Sequence, residues 1–187
     1  MLALQQISVS YDHFEHRHRF SVWAAARAAQ RAFTSIDNLR DALQSTNIRA
    51  FLSDPESYDI APQSFEAHHR KWCHAITAFL SNRDIANATF GRAAKLIAVY
   101  LKAMVVVGAE SQSSLAAVIH PPIDRILLQN LALSPDFSSA YKSMWRSAAW
   151  TKLNESAYYE LLATLRTVVP ETDPWWKLEQ YWTVTNE

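Results

Sequence analysis

Thr89-Phe90-Gly91-Arg92-Ala93-Ala94-Lys95-Leu96-Ile97-Ala98-Val99-Tyr100-Leu101-Lys102-Ala103-Met104-Val105-Val106-Val107 is the most apolar stretch of this 187-residue chain. Only Arg92, Lys95 and Lys102 interrupt it, and Thr89 is placed to cap a helix over residues 90–107. A helix apolar nearly all round must be covered on every side, so this one is expected at the centre of the fold. The valines at its end would also suit a strand, but the neighbouring pattern favours helix.

Working outward, the chain holds only two glycines, Gly91 and Gly108. A sheet with many tight turns needs more residues that tolerate positive φ, so the expected class is all-α. No two glycines stand close together, which excludes a glycine-rich phosphate loop. Prolines at 55, 62, 121, 122, 135, 170 and 174 punctuate the helical stretches. Helices are expected over residues 20–33, over 37–43 with Ser35 as cap, and from Ser64 with Trp72, Ile76, Phe79 and Leu80 buried. Pro121 and Pro122 are read as opening a helix that runs through residues 123–131. Further helices are expected over 138–150, 155–168 and 175–182. Together these make one compact helical domain, residues 1–187, in which 1–12 form a loosely ordered N-terminal segment.

Eighteen basic and eighteen acidic residues leave a formal net charge of zero, so any nucleic-acid contact must come from a local patch. The single cysteine, Cys73, forms no internal disulfide and is expected as a buried thiol. Residues 1–12 lack a basic region followed by an apolar run, and residues 96–109 are too short to span a bilayer. A cytoplasmic protein without a membrane partner is expected, and no oligomeric state is implied.

Lys95 is the first candidate for chemistry. Deep in an apolar helix, its ammonium form is disfavoured by burial, by the helix N-terminus and by Arg92 three residues before it. A lysine so placed can act as a neutral nucleophile; the other reading is a stem that covers apolar surface while its charge reaches water. Asp124, in His120-Pro121-Pro122-Ile123-Asp124-Arg125, is a carboxylate amid apolar residues in a first helical turn. Its other reading is complementarity to the helix dipole.

The segments Phe90-Gly91-Arg92-Ala93-Ala94-Lys95-Leu96-Ile97-Ala98 and Pro122-Ile123-Asp124-Arg125-Ile126-Leu127 together resemble the lysine and aspartate segments of the helix-hairpin-helix DNA glycosylases. The likeness is to the short bacterial and archaeal branch of 8-oxoguanine DNA glycosylases. Trp175-Trp176-Lys177-Leu178-Glu179-Gln180-Tyr181-Trp182 resembles that branch's aromatic tail, and residues 20–30 its alanine-rich core helix.

The resemblance implies a helical repair glycosylase and lyase acting on damaged double-stranded DNA, with no cofactor. Lys95 would attack the anomeric carbon and form a Schiff base, and Asp124 would stabilise the sugar cation or take the lysine's proton. Gly91 and Arg92 would hold a phosphate, Arg92 replacing a second glycine of the family's hairpin. Arg125, His120 and Lys177 would complete the DNA and base contacts, with Trp175, Trp176 and Tyr181 stacking on the extruded base. The alternative is a catalytically silent helical module that binds DNA or protein on the same scaffold. His13, His16 and His18, and His68, His69 and His74, complete no metal-ligand pattern, so no metal is expected.

Overall fold

A computed structural model describes residues 10–108 and 110–183. Of the segment expected to be loosely ordered, residues 1–9 lie outside the described residues, while Asp12 caps the first helix through the Glu15 amide. Every regular element among the described residues is helical: α1 (His13–Gln30), α2 (Ile36–Gln44), α3 (Ile48–Ser53), α4 (Pro62–Ser81), α5 (Phe90–Leu101), α6 (Ser114–Val118), α7 (Arg125–Leu133), α8 (Ser139–Ser147) and α9 (Glu155–Arg166). Short 3₁₀ turns fall at Pro55–Tyr58, Trp150–Lys152 and Trp175–Tyr181. No helix among the described residues is long and apolar enough to cross a membrane.

As expected, α5 is central, with α1 and α4 packed along it. Ala25, Ala26 and Ala29 of α1 are buried, and side chains that small let the two helix axes approach closely. Thr89 caps α5 by accepting the Arg92 amide, and Ser35 likewise caps α2 through Asn38. Gly91 is required by close approach rather than by backbone conformation. A Cβ there would sit 2.1 Å from the Trp150 carbonyl oxygen.

Four expectations are corrected. First, α5 ends at Leu101 and continues as a π-helical turn, Lys102–Val106, where the Val107 amide reaches back five residues to the Lys102 carbonyl. Second, α4 begins at Pro62 and not at Ser64. Third, the two prolines do not start a helix. The chain turns extended at Ile119 (ψ 126°), two residues before Pro121, and α7 starts only at Arg125. Fourth, the C-terminal aromatic run is a 3₁₀ turn rather than an α-helix.

Candidate active site

The extended run 120–124 carries the chain to the flank of α5 and delivers Asp124 as the N-cap of α7, with φ −148° and ψ 179°. A carboxylate at this position is favoured locally, because one oxygen satisfies an amide of the first turn. Here Oδ1 accepts the Leu127 amide at 3.0 Å. The other oxygen, Oδ2, is left to face α5. It accepts the Lys95 ammonium at 2.7 Å and the Trp182 indole N–H at 3.0 Å. The side chains of Lys95 and Asp124 are only 6% and 4% exposed, so this is a buried ion pair.

Desolvation pushes the Lys95 amine below the usual lysine value, assisted by Arg31 and opposed by Asp124 and Glu179. Burial alone would raise the Asp124 carboxyl. The Lys95 charge, with hydrogen bonds from Lys95, Leu127 and Trp182, outweighs it and holds the group below the usual carboxylate range. A second ion pair lies alongside. Lys102 is held by Glu179, whose side chain is 14% exposed and whose carboxyl is raised by burial.

Lys95 also lines a hollow of about 270 Å³ between α1 and α5. Phe20, Ala24 and Ala28 form the α1 wall at helical spacing, Val99, Lys102 and Ala103 the opposite one, and Pro122 and Trp182 the end. The lining is apolar apart from the two lysines. Phe20, Val107 and Trp182 are well exposed around it, with Trp23 against Phe20 at 5.9 Å. The arrangement therefore offers an amine in a poorly hydrated recess, with a carboxylate behind it that can hold or receive its proton.

The remaining sequence candidates are not brought together here. The Gly91 amide donates to the Leu153 carbonyl at 3.0 Å and so does not face an external phosphate. The Arg92 guanidinium lies over the Phe33 ring at 4.1 Å, with Nε and Nη1 buried and unbonded, and desolvation lowers its basicity. Arg125 is exposed at the start of α7. His120 does not share the Lys95 hollow. It sits in a separate one with Phe65 and Trp175, its Nδ1 3.2 Å from the Tyr158 hydroxyl.

Trp175 packs between His120 and Arg166, at 5.6 and 5.3 Å. Trp176 has a buried, unbonded indole nitrogen. Lys177 pairs with Asp173 at 2.6 Å, and Tyr181 meets Phe137 edge-on, ring centres 5.1 Å apart. Of the aromatic tail, the residue at the hollow is Trp182. His18 bonds the Tyr100 hydroxyl and His69 the Tyr159 hydroxyl. Among the described residues, no three His, Cys, Asp or Glu side chains are grouped as metal ligands. Cys73 is buried and its thiol is raised well above the usual value by desolvation, as suits a structural residue.

The sequence residues that reasoning missed are Trp182, the Phe20–Ala24–Ala28 stripe and Glu179. The i, i+4, i+8 spacing of the stripe was a usable signal; the indole-to-carboxylate bond had none. Compared with models of protein families, with curated proteins and with solved structures, the sequence gives no match.

Proposed function

We propose that this protein uses Lys95 as an imine-forming amine, in the manner of a DNA glycosylase/lyase that excises an oxidised purine of the 8-oxoguanine kind. The observation that carries the reading is the Lys95–Asp124 contact of 2.7 Å at the wall of an apolar hollow. A recess of about 270 Å³, just below the usual span of ligand sites (about 300–1,000 Å³), admits one ring-sized group. In the reaction, the Lys95 proton passes to Asp124 and the free amine forms a bond to the sugar's anomeric carbon. The glycosidic bond breaks and the base leaves, taking the proton back from Asp124. The sugar ring then opens at its C1′–O4′ bond, O4′ taking the second amine proton, to give the iminium. The iminium then loses a proton from the neighbouring carbon, and the 3′ phosphate departs by β-elimination. Once it has given that proton to the leaving base, Asp124 is again a carboxylate and supplies the counter-charge to the cationic iminium.

A base extruded from a duplex would have Phe20, Trp23 and Trp182 as neighbours, apolar faces on which unstacked rings rest favourably. Arg31, whose charge is felt at Lys95, and exposed Arg125 are the cations that would meet phosphates. A second reading, a silent helical binding module, is favoured by one observation. Lys95 and Asp124 are both almost fully buried and mutually satisfied, as a structural strut would be.

Borohydride trapping on duplexes carrying 8-oxoguanine or an abasic site separates the two. The glycosylase reading expects a covalent adduct that peptide mapping places on Lys95 and that Lys95→Gln abolishes. No adduct, or one that maps to Lys102, refutes it.

A further inference from the structure

Asp124 Oδ2 has two donors, and only one of them belongs to the lysine. Trp182 reaches the same oxygen with its indole N–H at 3.0 Å, against 2.7 Å for Lys95 Nζ, while its ring forms one end of the hollow that Lys95 lines. The ring is 37% exposed, so it stands between the buried pair and solvent. An N–H bonded to a carboxylate oxygen draws charge from that oxygen and so weakens its hold on a neighbouring ammonium. A ring that keeps water out disfavours the ammonium further.

We propose that Trp182 is a positioning residue for Lys95, engaging the oxygen the amine leans on and drying the recess so that Lys95 gives up its proton and can attack a carbonyl or anomeric carbon. The inference deepens the Lys95 reading above and rests on it for its role in a reaction.

The other groups that face Lys95 are accounted for. Asp124 comes from the start of α7, Glu179 from the C-terminal 3₁₀ turn, Arg31 from the end of α1 and Lys102 from the π turn that follows α5. The Trp150 ring lies 6.0 Å from Nζ on the remaining side. Trp182 carries no charge, so replacing it alters the setting of Lys95 without adding or removing a charge.

The test reads Lys95 directly. Reductive methylation with formaldehyde and cyanoborohydride is followed from pH 7 to pH 10.5 on the intact chain. Peptide mass spectrometry then gives the pH midpoint for Lys95, with Lys102 as internal reference. Trp182→Phe keeps a ring and removes the N–H. The Lys95 midpoint is expected to rise by about half a pH unit or more, roughly a threefold drop in free amine at fixed pH, while the Lys102 midpoint stays in place. Trp182→Gln, uncharged over this range and still able to donate an N–H, is expected to restore at least half of the shift.

An unmoved or lowered Lys95 midpoint overturns the proposal, including the case where only the plateau rate rises, because a mere lid would do that. Equal movement of both lysines also overturns it, since that reports general loosening. Borohydride trapping of the wild type on damaged DNA is run in parallel. If trapping fails, the glycosylase reading falls while the methylation midpoints still decide the role of Trp182.

Discussion

Asp124→Asn should turn the buried pair into a pH-dependent weakness. Asparagine is as good an N-cap as aspartate, so the Leu127 amide keeps its acceptor and α7 keeps its first turn. What disappears is the charge facing Lys95, which is 6% exposed and has no other carboxylate bonded to it. Leaving one member of a buried pair uncompensated costs about 3–5 kcal/mol. The lysine has one escape, which is to lose its proton. From an ordinary value near 10.4, neutralising it at pH 7 costs about 5 kcal/mol, and at pH 9.5 only about 1 kcal/mol.

In the variant the folded state therefore binds fewer protons than the unfolded state. Its stability rises with pH up to the ordinary lysine value. The gap between wild type and variant, read from urea unfolding followed by far-ultraviolet circular dichroism, should be about 3–5 kcal/mol at pH 7 and shrink by about 2–3 kcal/mol at pH 9.5. Adding Lys95→Met, which replaces the charged head by an apolar one of similar reach, should recover most of the loss at pH 7. A gap below about 1 kcal/mol at pH 7, or one that does not narrow with pH, would refute the reasoning.

Two further outcomes follow from the packing. Burial, with a smaller push from Arg70, lowers His120 from 6.5 to about 3, so its contribution is whole above pH 6.5 and drains away toward pH 3. Stability should fall by about 2 kcal/mol between pH 7 and pH 5 from His120 alone, with His69 adding in the same direction; His120→Phe should flatten the slope of urea midpoint against pH, and a wild-type midpoint that is level over this range would contradict it. Gly91→Ala should cost about 1–3 kcal/mol or more, because the new Cβ would meet the Trp150 carbonyl oxygen at 2.1 Å; a thermal midpoint equal to the wild type would show that the Trp150–Lys152 turn moves aside freely.

The core was legible where composition alone decided it. A stretch interrupted only by Arg92, Lys95 and Lys102 had to be central, and α5 is. Its end was not legible, since the switch to a π turn at Lys102 changes the hydrogen-bond span without any proline or glycine to announce it. Pro121 and Pro122 were misread for a physical reason. Proline suits a helix start, but each also forces its predecessor to be extended, and two in succession let the second effect win.

His120, expected beside Asp124 among the DNA and base contacts, is set apart by the same stretch, because four residues of extended chain span up to about 13 Å. His120 accordingly lies in another hollow. Lys95 and Asp124 could be singled out individually, because each is an ionisable group in an apolar context. Trp182 could not, because nothing in the order of Trp175, Trp176, Tyr181 and Trp182 tells which ring folds back onto α7.

The two oxygens of Asp124 do separate jobs, and this makes the first turn of α7 a witness to the site. Whatever rotates or protonates the carboxylate at Oδ2 also disturbs the acceptor at Oδ1, and the Leu127 amide is the group that registers it. That amide is buried, so in the resting protein its hydrogen should exchange slowly with solvent. A single backbone resonance, remote in sequence from Lys95, thus carries a readable signal of occupancy, and a small molecule that enters the hollow and draws Asp124 away from Lys95 would announce itself there before any reaction takes place.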